Sequence, residues 1–337
     1  MSQVQIRPGP RRATRDGLRQ FVETFAADHP PLSPGAADLT ILDPERVRRK
    51  YGGVFNYLTR VELEVERNVL ELRALMPDAT ETDRFFYEDV WSPQELQHGV
   101  LLDAVQQGFG MTPAPADLTN LRPGIRVIGV LSHLPGMLGV IRLLYYLTGA
   151  ATERSAVIAY SRLLDGLGAM GERAIAETVI APIRRQEPGH FAFYRMSAET
   201  LVGEEGLSPW QLHLTRILRR HSFDLVGVNN RHQRAAFGDV ARALGFDRDL
   251  DGIARQVSLG GTRTPLGPAP GNASPCLHPQ RPRRSHRPQH RPALKTEMLR
   301  QHPTVLTGGH ADPRGAHLRC RHRQRPAPPA RLPAGGH

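Results

Sequence analysis

The side chains best placed to do chemistry are Glu95 and His98, within Trp91-Ser-Pro-Gln-Glu-Leu-Gln-His-Gly99, and Glu187 and His190, within Gln186-Glu-Pro-Gly-His190. Residues three apart on a helix share one face, so a carboxylate and an imidazole at that spacing can grip the same ion. One Glu-x-x-His is frequent by chance. A second, after another apolar helical run, is a much stronger signal. Two such motifs, joined by one glutamate from each of two further helices, are how a four-helix bundle holds two metal ions in its core.

Glu62 and Glu153 supply the two single glutamates. At 100° per residue Phe55, Leu58, Glu62, Val65 and Val69 form one stripe, which turns Glu62 inward. Most helical glutamates are solvated. A buried one needs a metal or a cation, and no basic residue shares this stripe. By the same rotation Glu64 falls on the polar side, while Glu66, one turn after Glu62, can also reach inward. Glu153 lies in the middle of the stripe Tyr146, Gly149, Glu153, Ala156, Val157, Tyr160 and Leu164, with small residues at 149, 150 and 156 leaving room beside it. Many carboxylates and only two imidazoles suit iron or manganese better than a closed structural zinc site. Reduced iron of this kind binds dioxygen and can remove hydrogen from an unactivated C–H bond.

Helices must carry these residues, and the periodicity supplies them. Asp43-Pro44-Glu45 reads as a helix start, with Asp43 capping and Pro44 in the first position. A helix then runs from about Val54 to Leu75, and another from about Thr82 to Phe109, bent at Pro93. A third covers about Val140 to Leu167. A fourth, from about Glu172 to Leu201, puts Ile175, Val179, Ile183, Glu187, His190, Phe191 and Tyr194 on one face. Pro188 and Gly189 are poor helix residues and predict a local bulge at the second motif. Ser208-Pro209 opens a helix to about Arg220, and Ala235 to Val257 reads as a final amphipathic pair broken at Gly245. The apolar stretch Ile125 to Tyr146 contains Arg126, His133, Pro135 and Arg142, which argues for a buried helix pair and against a membrane span. The expectation is an all-α fold, a four-helix bundle core with flanking helices over residues 39–258. Residues 1–38 lack helical periodicity and read as a flexible arm.

Charge divides the chain. Residues 261–337 hold 14 Lys and Arg against 2 Asp and Glu, leaving 30 basic and 31 acidic side chains in residues 1–260 of a chain whose net charge is +11. The basic balance therefore belongs to the tail, which removes the argument for a nucleic-acid footprint on the folded part. Residues 259–337 also carry 14 of the 29 prolines and both cysteines, Cys276 and Cys320. Such a segment cannot bury enough apolar surface to fold, so it reads as a disordered tail. Its Arg, Pro, His, Gly and Ala mixture matches a GC-rich gene translated out of frame. The remainder has no cysteine, which suits a reducing cytoplasm, and Met1 to Arg15 lacks the apolar segment of a signal peptide.

The metal motifs resemble a family, the soluble acyl-carrier-protein desaturases of the ferritin-like di-iron group. Trp91 to Gly99 is similar to their run of tryptophan, polar residues, Glu, two variable positions, His and Gly. Glu153-Arg-Ser-Ala156 resembles their third-helix glutamate, and Glu187 to His190 falls where their second Glu-x-x-His lies. The resemblance spans about residues 45–258. It implies that Glu62, Glu95, His98, Glu153, Glu187 and His190 bind two irons, with manganese as the other candidate. Glu95 and Glu187 would bridge them, while Glu62 and Glu153 each hold one. It also implies dioxygen-dependent insertion of a double bond into an acyl chain on acyl carrier protein, a ferredoxin-type electron donor and a homodimer. The same ligand scaffold serves amine N-oxygenation or metal binding without oxidase activity.

Tyr146, Tyr160 and Tyr194 fall near the site, as electron relays, as tunnel lining or, more commonly for such positions, as core aromatics. Arg184 and Arg185 suit either an acidic carrier or a solvated face. His133, His213, His221 and His232 read as surface or core histidines.

Overall fold

A computed structural model of the chain describes residues 13–114, 116, 123–221 and 231–248. All of these lie in the first of its two units, Met1–Ser274, and the second, Pro275–His337, falls outside them. Among the described residues every regular element is helical, so the all-α expectation is borne out.

Helix α1, Arg15–Asp28, occupies part of the stretch read as an arm. Thr14 caps it by accepting from the Gly17 N–H at 3.1 Å. Leu18, Val22 and Phe25, at i, i+4 and i+7, are buried, and the helix packs on α9, Ala181–Gly203. Only three of its apolar positions are buried, too few to stand out among the arginines and prolines around them. Residues 1–12 lie outside the described set, as does everything after 248, including the end of the expected 235–257 pair and the whole 259–337 tail.

Helix α2, Pro44–Leu63, starts at the cap read from the sequence, with Asp43 accepting from the Arg46 N–H at 3.0 Å. The single helix expected over 54–75 is two, for the chain breaks at Glu64 (φ −77°, ψ 4°) before α3, Val65–Leu75. Glu64 is not on a polar face. It is 2% exposed and lies between Arg60 at 3.1 Å and Arg67 at 2.6 Å. The break also changes the register, and Glu66 points to solvent instead of inward.

After the short α4, Glu81–Arg84, a π-helical segment, Phe85–Trp91, leads into α5, Ser92–Gly108. Helix α6, Pro123–Ser132, is followed by the long α7, Met137–Met170. The expected burial of this pair holds for α7 only, since Val127 and Val130 of α6 are 60% and 71% exposed. Then come the single turn α8, Arg173–Ile175, a second π-helical segment, Ala176–Ile180, and α9. Helices α10, Pro209–His221, and α11, Arg231–Ala243, follow, and α11 packs on α2.

Two apolar clusters organise the interior. One contains Val47 to Leu58 of α2, Leu101 to Val105 of α5, Ile158 to Leu167 of α7 and Ile175 to Ile183. The other contains Val65 to Leu75 of α3, Phe86 to Trp91, Ile141 to Leu147 of α7 and Phe193 to Leu201 of α9. Each of the four helical paths passes from one cluster to the other, α2 and α9 in one sense, α5 and α7 in the opposite sense. All six expected ligands fall at the crossing, in a polar layer between two apolar slabs. Helix α6 lies between α5 and α7 in the chain.

Candidate metal centre

The six residues converge. Ligand atoms of Glu62, Glu95, His98 and Glu187 lie within 4.8 Å of one another, and so do those of Glu95, Glu153, Glu187 and His190. All six side chains are buried. The two groups share Glu95 and Glu187, and the oxygens of each shared carboxylate divide between the two sides. Glu95 Oε1 is 2.9 Å from His190 Nδ1 and its Oε2 is 3.4 Å from His98 Nδ1. Glu187 Oε1 is 3.5 Å from His98 Nδ1 and its Oε2 is 3.7 Å from His190 Nδ1. Glu62 belongs to one side only and Glu153 to the other.

Helix geometry explains how these side chains are aimed. Both motifs follow a π-helical turn and a proline. The Ser92 N–H bonds the Tyr87 carbonyl and the Ala181 N–H bonds the Ala176 carbonyl, five residues back in each case, and Pro93 and Pro182 come next. Proline removes a donor and crowds the preceding turn, and the wider π turn absorbs the misfit before the ligands begin. The bulge expected at Pro188-Gly189 is absent, for α9 runs unbroken from Ala181 to Gly203 with Pro188 inside it. Gly189 answers to packing instead, since a Cβ there would run into the ring of Phe25. Gly149 serves the same end for the ring of Tyr194.

Four carboxylates and two imidazoles, with no Lys or Arg between them among the described residues, set the electrostatics. Burial, then the charge of Glu95, raises Glu62 and Glu153 well above the usual carboxylate range. The same causes raise Glu187 to about 8. Burial pushes Glu95 up too, but hydrogen bonding from Glu62 and the charge of His190 carry it well below the ordinary value. Burial lowers His190, yet Glu95 outweighs burial and raises it. The site thus holds protons where cations would otherwise neutralise it.

The donor set fits a metal on a second ground. Both oxygens of Glu187 and Nδ1 of His98 are buried without a hydrogen-bond partner, a costly arrangement unless something else occupies their lone pairs. The residues present can therefore hold a metal ion.

Of the tyrosines, the Tyr160 hydroxyl donates to Glu62, and Tyr194 lines a cavity beside the carboxylates. Tyr146 is directed elsewhere, donating to Asp83 at 2.9 Å in a cluster with Arg142. Arg184 and Arg185 are exposed, with Arg184 donating to Ser161 at 2.8 Å. His133 and His213 are exposed, and the side chains of His221 and His232 lie outside the described residues. The cavity, about 340 Å³, has mostly apolar walls, among them Leu58, Val65, Ile141, Leu144 and Phe237, and reaches Glu62, Glu95, Glu153 and Glu187.

Gln94 and Gln186 join the site without being among the residues expected there. Both are buried, and their amide oxygens meet the ligand histidines. The signal was available, because both motifs read Gln-Glu-x-x-His.

Fold and site together define an all-α protein with a buried carboxylate and histidine centre able to bind metal. No family model, curated protein or solved structure matches the chain. Among the described residues no helix is long and apolar enough to cross a membrane.

Proposed function

We propose that the chain is a di-iron oxidase of the acyl-carrier-protein desaturase type, built on a ferritin-like core of α2, α5, α7 and α9. The observation that carries this reading is the apolar cavity ending on four of the six ligands. A protein that merely holds metal has no use for such a cavity, whereas a C–H oxidation requires an apolar substrate beside the centre.

Glu62, Glu95, His98 and Glu187 would hold one ion, and Glu95, Glu153, Glu187 and His190 the other. Bound iron supplies activation of dioxygen and abstraction of hydrogen from carbon. The chain's own residues do the rest. The protons held by Glu62, Glu153 and Glu187 leave as the cations enter. Tyr160 fixes Glu62 from behind through its hydroxyl. The cavity walls strip water from an acyl chain and lay its methylenes against the carboxylate layer. An acyl carrier protein presenting the chain, a ferredoxin-type donor and a homodimer complete the reading.

The test is reconstitution with ferrous iron under anaerobic conditions. Two irons per chain are expected, with visible absorption on oxidation that Glu95→Ala abolishes. Supplied with saturated acyl carrier protein, reduced ferredoxin and dioxygen, the loaded protein should yield an unsaturated acyl product detectable by mass spectrometry. Substoichiometric iron would remove the centre. Full iron without product would leave a metal-binding protein.

A further inference from the structure

Each ligand histidine is held from behind by the motif to which it does not belong. His98 Nε2 lies 2.7 Å from Gln186 Oε1, and His190 Nε2 lies 2.6 Å from Gln94 Oε1. At their other ends Gln186 donates to the Pro30 carbonyl at 2.8 Å and Gln94 donates to the His29 carbonyl. Those backbone carbonyls only accept, so each amide nitrogen must face them and each amide oxygen must face a histidine. Nε2 of both histidines therefore carries the hydrogen. Nδ1 faces the carboxylates and is the nitrogen left for a metal ion.

The bracket ends on the turn that closes α1. The His29 N–H bonds the Phe25 carbonyl at 2.9 Å. The ring of Phe25 stands edge-on to His190 with centroids 5.8 Å apart, over Gly189. Two adjacent carbonyls thus fix two glutamines, and the glutamines fix two histidines.

We infer that Gln94 and Gln186 are positioning residues that commit both histidines to coordination through Nδ1 and couple metal binding to the docking of α1. The inference rests on the metal reading of the site. A ligand orientation that depends on residues 29 and 30 makes α1 part of the centre although it contributes no ligand. Linkage is reciprocal: whatever α1 docking adds to metal affinity, bound metal adds to α1 docking. A defect in the N-terminal helix should therefore look like a metal defect.

Two measurements on the full chain test this, Mn²⁺ affinity and hydrogen exchange at the amides of residues 15–28. Mn²⁺ should raise protection across α1 in the wild type. Gln94→Leu should weaken Mn²⁺ binding about 10- to 100-fold and abolish that rise. Gln94→Glu keeps an acceptor for His190 but sets a carboxylate against the His29 carbonyl. Protection of α1 should fall and Mn²⁺ affinity with it, though by less than in Gln94→Leu. A wild type that binds Mn²⁺ with no change in α1 exchange overturns the coupling, and this comparison needs no variant to fold. Gln94→Leu binding as tightly as wild type overturns the positioning role. A wild type binding neither Mn²⁺ nor Fe²⁺ overturns the metal reading, an outcome distinct from both.

Discussion

At the scale of single residues the centre exchanges protons for cations. Glu187, raised to about 8 from 4.5, keeps its proton in the folded, metal-free protein over a range where the unfolded chain has lost it. Its contribution to stability is complete below about 4.5 and disappears as pH climbs through 8. Glu62 and Glu153 are shifted in the same direction. Glu95 is shifted the opposite way, and its contribution is lost on acidification instead. His190 is raised too, and Glu95 changes its contribution only in acid, so the metal-free protein should lose stability between pH 6 and pH 9, by an amount on the order of a few kcal/mol. Metal at saturation needs the same carboxylates deprotonated and should cancel or reverse the trend. Thermal unfolding across that range with and without Mn²⁺ checks it. Parallel profiles would mean that these groups do not take up the cation.

At the scale of elements, the packing of α7 against α9 is set by what one residue lacks. Replacing glycine by alanine inside a helix ordinarily stabilises it by about 1 kcal/mol. At Gly149 the added Cβ would enter the ring of Tyr194, and overpacking of that kind costs about 1 to 3 kcal/mol. Gly149→Ala should therefore destabilise in urea titration and push Tyr194 toward the cavity it lines. A stabilised variant would show that the two helices have slack there.

The ligand positions were legible because each sits in an apolar run whose period a lone carboxylate interrupts, and the Asp43-Pro44 start because capping is local. What was not legible depends on partners far along the chain. Glu64 reads as solvated until Arg60 and Arg67 close on it across a helix break. Helix α1 has only three buried apolar residues, which gain meaning once α9 offers Gly189. The π turns precede Pro93 and Pro182 rather than coinciding with Pro188. Helix α9 carries Pro188 without such a turn.

At the scale of the whole molecule, the centre depends on helices that cross one polar layer in opposite senses between two apolar clusters. Every ligand lies at or before residue 190, and the last buried apolar residue in the described set is Phe246. The charge lies elsewhere, with residues 261–337 carrying 14 basic side chains against 2 acidic ones. Metal binding and affinity for polyanions should therefore separate. A chain ending at residue 258 should keep the same metal content per chain and lose no helix that holds a ligand. Retention on heparin at low salt, expected of the full chain, should vanish with the tail, and salt should elute the full chain by counterion competition. Circular dichroism, metal analysis and heparin retention on the two chains decide the matter. Loss of metal on shortening would tie the tail to the helical core. Heparin binding by the shorter chain would instead reveal a basic face on the helices themselves.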